Sequence, residues 1–275
     1  MPLLNINKAD IYYEMTGSGP AIVIISGYAN QTSYWKPIVD ELKQHFTVIL
    51  FDNRGSGQTQ DNHEKLSIDL MAEDTIELIR ALKLKKPHVL GYSMGSCIAQ
   101  SLAANFGSEI DKLLLVSSTP KFRLAALNYL RAALELRKNP NNLESVLDLY
   151  FAFTYSEETL SNNDKLQGLK KEILDNPHLP SVDNSSRQYE ALKSFNSLKQ
   201  LKLIENETLI IHGREDILCL PMEAQYIAAH LKEASFVELY VGHGIPKESP
   251  KELTSLILQF LLTNHAHRPD PYSYS

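Results

Sequence analysis

Short apolar runs alternate along this chain with stretches of helical spacing. Ala21 to Ile25, Val48 to Phe51, Val89 to Leu90, Leu113 to Val116, Leu209 to Ile211 and Val237 to Val241 hold apolar residues at successive positions. A strand with one wet face would alternate, so these runs predict strands covered on both faces, as in a parallel sheet packed between helices. Between them Met71, Thr75, Leu78, Ile79 and Leu82, then Ile98, Leu102 and Phe106, recur at the spacing of one helix face. Each run with the helix beside it reads as a β-α unit.

The ends and the middle depart from this rhythm. Leu3 to Tyr13, ahead of Thr16-Gly17-Ser18-Gly19-Pro20, predict one or two antiparallel edge strands closed by a turn. Ser249-Pro250-Lys251-Glu252 supplies a capping serine, a first-turn proline and a capping-box glutamate for a helix from Pro250 to Leu262. From Pro120 to Gln200 only helix-like segments occur: Leu124 to Arg137, Leu143 to Phe153, Asp164 to Leu174 and Ser186 to Leu198. The expected organisation is an α/β core of residues 1–119 and 201–263, a helical lid over 120–200, and a polar C-terminal tail over 264–275. Such an insertion belongs at the C-terminal ends of the strands, where α/β sheets bind ligands.

The 275 residues suit one large α/β domain with an insertion. A net charge of −6 argues against a nucleic-acid partner, which calls for a basic stripe. Met1-Pro2-Leu3-Leu4-Asn5 has no basic segment leading into an apolar one, and no run is long enough to span a bilayer, so a soluble cytoplasmic protein with no membrane partner is expected. Cys97 and Cys219 fit small buried side chains, with neither a disulfide framework nor a metal-ligand spacing. Nine histidines include no H-E-x-x-H pattern, and no metal or cofactor is expected.

Chemistry concentrates at Gly91-Tyr92-Ser93-Met94-Gly95, which lies between the run ending at Leu90 and the helix through Ile98. The G-x-S-x-G pattern in a strand-turn-helix context is that of a nucleophile elbow, which holds a serine hydroxyl at the tip of a sharp turn. A serine hydroxyl needs a base, and the base needs a third group to fix its tautomer. His243 follows the last run, between Gly242 and Gly244, whose lack of side chains leaves room for a sharp turn and a substrate. The acid is assigned to Asp216, after the run through Ile211, with Glu215 as its neighbouring rival. An oxyanion hole would use the backbone N–H of Met94 and that of Tyr28, in the loop Ser26-Gly27-Tyr28-Ala29. Tyr92 and Gly27 are assigned to substrate contact, while Trp35 and Tyr34 suit the core as well as a pocket wall. Asp52-Asn53-Arg54-Gly55-Ser56-Gly57 lacks the lysine of a phosphate loop, so Asp52 and Arg54 read as loop-ordering residues, and His88 and His212 as hydrogen-bonded strand residues.

Three segments resemble the α/β-hydrolase superfamily, and within it the lid-bearing group of carboxylesterases, enol-lactonases and pimeloyl carrier-protein methyl ester esterases. They are Phe51 to Thr59, His88 to Ser96, and Gly242-His243 followed by Glu248 and Pro250. The order Ser93, Asp216, His243 is also that superfamily's. Ser26 is a departure, since these relatives commonly carry histidine there. The resemblance implies an α/β-hydrolase fold, a mostly parallel sheet with helices on both faces and a helical lid. It also implies a cofactor-free serine hydrolase acting on a small-molecule carboxylic ester, thioester or lactone through an acyl-enzyme. A slow-turnover ligand receptor, and a carbon-carbon hydrolase or perhydrolase with the same triad, are the alternatives. An acyl carrier protein could present the substrate, with Arg123, Arg131, Arg137 and Lys138 as contacts in a lid segment of net charge +1.

Overall fold

The computed structural model describes residues 3–263, so the tail read over 264–275 lies outside the described residues. The strands are β1 (Leu3–Ile6), β2 (Ala9–Gly17), β3 (Ala21–Ile25), β4 (Thr47–Phe51), β5 (His88–Tyr92), β6 (Leu113–Val116), β7 (Thr208–Gly213) and β8 (Ala234–Leu239). They form one sheet in the order β1-β2-β4-β3-β5-β6-β7-β8, with β1 and β2 antiparallel and every pair from β4 to β8 parallel. The helices are α1 (Lys36–Leu42), α2 (Ile68–Ala81), α3 (Met94–Phe106), α4 (Leu124–Arg137), α5 (Leu143–Thr154), α6 (Glu157–Ser161), α7 (Asn163–Leu174), α8 (Val182–Ser194), α9 (Pro221–His230), α10 (Ile245–Glu248) and α11 (Pro250–Leu262).

Successive side chains of a strand point to opposite faces, and here both faces are apolar. Ile22, Ile24, Val48, Leu50, Leu90 and Leu114 pack with α1 and α11, while Val23, Ile25, Ile49, Val89 and Leu115 pack with α2, α3 and α9. The continuous apolar runs of the sequence are therefore two cores read in alternation. Helices α4 to α8 fall between β6 and β7, and Ala126, Leu130, Leu134 and Leu192 of this helical block join the same buried core as Val23, Val89 and Leu115 of the sheet.

Four details differ from expectation. Strand β2 is not an edge, because it also pairs with β4. Strand β8 runs Ala234–Leu239 rather than Val237 to Val241, since an edge strand is set by its ladder, which joins Thr208 to Ala234 and Gly213 to Leu239. Helix α8 starts at Val182, four residues before the apolar pattern becomes visible, because the Ser181 hydroxyl caps it by accepting from the Asn184 N–H at 3.1 Å. Ser249 precedes α11 but makes no side-chain cap. Its N–H, which a capping-box glutamate would accept, already donates to the Ile245 carbonyl at the end of α10.

Candidate active site

Ser93 stands between β5 and α3 with φ 53° and ψ −118°, a left-handed conformation costing a non-glycine residue about 1–3 kcal/mol. Packing holds it there. A Cβ on Gly91 would collide with the Gly95 carbonyl and come within 2.7 Å of the Ala99 methyl, and one on Gly95 would strike the Ile25 carbonyl. Helix α3 thus meets the sheet backbone to backbone, and the turn has no room to relax.

The sheet carries the other two groups to the same place. His243 follows β8, and its Nε2 lies 2.8 Å from Ser93 Oγ. Its Nδ1 lies 2.7 Å from Asp216 Oδ2. Asp216 Oδ1 accepts from the backbone N–H groups of Leu218 at 2.9 Å and Cys219 at 2.8 Å, so both carboxylate oxygens are engaged and the side chain cannot rotate freely. All three residues are buried. The rival Glu215 is exposed and accepts instead from the Glu157 N–H at the start of α6, at 2.9 Å.

Sequence reasoning missed what fixes the imidazole. Glu248, five residues beyond it, accepts from the Gly242 N–H at 2.9 Å and from both the N–H and the hydroxyl of Ser156, at 2.8 and 2.5 Å. Ser117 donates to the His243 carbonyl at 2.8 Å, and the Gly244 N–H donates to the Thr154 carbonyl at 2.8 Å. Gly242 and Gly244 lie against Thr154, Tyr155 and Ser156, and neither has a positive φ. Their missing side chains therefore admit the α5–α6 connection of the helical block, where a sharp turn and room for a substrate were expected. His212, read as a strand histidine, also lies near the acid: its Nε2 is 2.9 Å from the Cys219 carbonyl and 3.4 Å from Asp216 Oδ2. Burial lowers its pKa below the ordinary histidine value despite the neighbouring carboxylate, so at neutral pH it lies beside Asp216 as a neutral ring.

The loop after β3 approaches Ser93 from the other side. Gly27 packs against Tyr92 and Ser93, where an added Cβ would stand 3.2 Å from the Ser93 Cβ. Ser26, the departure from the resembled family, is buried and accepts from the Trp35 indole N–H at 2.9 Å, and its carbonyl accepts from Asn53 at 3.0 Å. Trp35 is therefore a core residue that supports the loop. Gln188 of α8 reaches across, accepting from the Ala29 N–H at 2.8 Å and donating to the Arg54 carbonyl and the Ser56 hydroxyl at 2.7 and 2.8 Å. No signal along the chain joins Gln188 to residue 29, since only folding brings them together. Met94 is the first residue of α3, and N–H groups of a first turn have no acceptor within their own helix. Asp52 and Arg54 order their loop as expected: Asp52 accepts from the Thr32 and Gln58 N–H groups, and buried Arg54 forms a forked pair with Asp74.

A cavity of about 230 Å³ opens onto Ser93 and His243. Tyr28, Tyr34 and Tyr92 wall it on the sheet side, and Tyr129, Leu134 and Leu147 of the helical block face them. The Tyr34 and Tyr92 rings stack with centroids 5.5 Å apart. Of the four basic residues singled out in the sequence, Arg123 lies 3.6 Å from Glu223 and Lys138 lies 2.8 Å from Glu135, Arg131 is exposed, and Arg137 lines this cavity. Among the described residues no cluster of three or more metal-ligating side chains occurs, and no helix is long and apolar enough to cross a membrane.

A serine on a strained strand-to-helix turn, backed by an imidazole and a carboxylate beneath a largely apolar cavity, is the arrangement of a hydrolase. Residues 20–246 match the family model of the alpha/beta hydrolase fold, and the chain belongs to that family. It is 24% identical over 255 residues to the "Putative carbamate hydrolase RutD" of Agrobacterium fabrum, covering 92% of this chain and 97% of that protein. The protein of the same name from Caulobacter sp. is 27% identical over 264 residues, covering 91% and 95%. Among solved structures, the α/β hydrolase MGS-M2 from a Medee basin deep-sea metagenome library superposes with a TM-score of 0.89 at 24% identity, covering 98% of this chain and all of that one. The enol-lactonase of Burkholderia xenovorans gives a TM-score of 0.85 at 21% identity, covering 95% and 100%.

Proposed function

We propose that this protein is a serine hydrolase that cleaves small carboxylic esters, thioesters or lactones through an acyl-enzyme. The observation that carries the proposal is the unbroken chain from Ser93 Oγ through His243 to Asp216. With its Nδ1–H donated to Asp216, the imidazole presents an unprotonated Nε2 to the serine hydroxyl. Ser93 Oγ attacks the carbonyl carbon and His243 takes the hydroxyl proton. The tetrahedral oxyanion is held by the N–H groups of Tyr28 and Met94, and the imidazolium returns its proton to the departing alkoxide. Water then repeats the sequence on the acyl-serine, releasing the acid and restoring Ser93. Helices α4 to α8 act as a lid whose inner face selects the substrate.

A carbamate reading is favoured by the relatives named as carbamate hydrolases, which match over most of the chain. It uses the same attack on a carbonyl flanked by nitrogen, so a substrate panel containing both classes separates the two. A fluorophosphonate probe tests the nucleophile directly: peptide mass spectrometry is expected to find the phosphonyl adduct on Ser93, and an unlabelled Ser93 peptide would refute the proposal.

Gln188 bears on the same step, because its hold on the Ala29 N–H fixes the peptide adjoining the Tyr28 donor. Gln188→Ala is expected to lower kcat about tenfold with KM changed far less, since misaiming one oxyanion donor penalises the transition state more than the bound ester. Steady-state kinetics on p-nitrophenyl butyrate, set beside the melting temperature, separates this from a general loss of stability.

A further inference from the structure

Three charged side chains line the cavity: Arg137, Glu172 and Lys247. Two of them satisfy each other, with Lys247 Nζ 2.5 Å from Glu172 and 5.0 Å from the Tyr34 ring centroid. Arg137 is different. Its bonds among the described residues run only to neutral oxygens, the Ser185 hydroxyl at 2.9 Å and the Pro180 carbonyl at 2.6 Å. A guanidinium has five N–H donors, and these bonds occupy only two donors of a half-buried side chain.

The Tyr28 hydroxyl packs beside it, closed off from the open space and next to Ser185. Burial raises this phenol above its ordinary value. A forked cation with no counter-charge is complementary to a carboxylate, which accepts two N–H bonds from the fork.

We propose that Arg137 forms a subsite for a second, ionised carboxyl group on the substrate, so that the favoured substrates are small carboxylate-bearing esters or lactones. Tyr28 lines the cavity between the two ends of such a substrate, with its side chain beside Arg137. Tyr129, Leu130, Ala133 and Leu134 line the cavity along the same face of α4 as Arg137 and suit an aliphatic spacer. One fixed positive charge matches a monoanion. The proposal rests on the ester-hydrolase reading, and the test keeps the two apart.

The intact protein is assayed on methyl hydrogen adipate against methyl hexanoate, and on the acetate ester of a hydroxy acid against that of the matching alcohol. This covers a carboxylate on either side of the scissile bond. In the wild type at least one charged ester is expected to exceed its neutral partner in kcat/KM, and Arg137→Gln to reduce that ratio about 10- to 100-fold, the range for a hydrogen bond to a charged group. Arg137→Lys should recover part of the ratio, keeping charge without the fork. A ratio unchanged while both rates fall together would mean that Arg137 merely ties α4 to Ser185 and Pro180, and would overturn the subsite while leaving the esterase standing. Calorimetric binding of methyl hydrogen adipate, a monoanion, to Ser93→Ala gives a readout without turnover. Arg137-dependent binding there, with no hydrolysis of any ester by the wild type, would support the subsite and refute the esterase reading; absence of that binding together with absence of any charged-ester preference would overturn the subsite.

Discussion

Ser93→Ala is expected to lower kcat on p-nitrophenyl butyrate by about 10⁴- to 10⁶-fold, the largest loss of any single substitution in the molecule. The substitution removes only the hydroxyl, whose one partner among the described residues is His243 Nε2 at 2.8 Å. Alanine keeps the Cβ, so the strained φ of 53° remains and the fold neither gains nor loses much at this position. A melting temperature within a few degrees of wild type would accordingly accompany the loss. A variant retaining a tenth of wild-type kcat, with heat-denatured protein as the background, would show that another group attacks and would remove the acyl-enzyme scheme.

Asp216→Asn is expected to cost about 10⁴-fold in kcat, and Glu215→Gln less than about threefold. The asymmetry follows from the hydrogen bonds. Asp216 Oδ1 already accepts from Leu218 and Cys219, while Oδ2 faces the imidazole at 2.7 Å. An asparagine must turn its NH₂ toward one set or the other. Facing the backbone amides it would oppose two N–H donors, so the amide group turns toward His243, forces Nδ1 to accept and leaves Nε2 protonated, unable to take the serine proton. Glu215 binds only the Glu157 N–H on an exposed surface, so its neutral isostere preserves the geometry. Kinetics on the pair decides the assignment: a severe loss from Glu215→Gln with a mild one from Asp216→Asn would reverse it.

What could be read along the chain was what local chemistry dictates. The runs Ala21–Ile25 and Leu113–Val116 are strands with those same bounds, because burial on both faces demands uninterrupted apolar residues. Pro250 to Leu262 and Leu124 to Arg137 likewise form the helices expected of them. The convergence of Ser93, Asp216 and His243 was legible because each follows a strand in a parallel sheet, and such ends all point the same way. Most of the misreadings originate in partners remote in sequence. Edge strand β8 takes its bounds from β7. Ser249 is a local exception, its N–H already bonded to Ile245 four residues earlier. Gly242 and Gly244 make space for residues some ninety positions earlier, while Gln188 meets a loop 159 residues away. The Tyr28 side chain gave no advance sign either, since its loop was read for its backbone alone.

The helical block is tied to the core on both sides of the site, by Ser156 with Glu248, Thr154 with Gly244 and Glu157 with Glu215 on the imidazole side, and by Gln188 with Ala29 and Arg187 with Asp61 on the other. Among the described residues the side chains that α4, α5 and α7 turn into the cavity make no hydrogen bond to Ser93, His243 or Asp216. Tailoring for a new substrate can thus proceed on those walls while these three groups stay in register, provided the ties are kept.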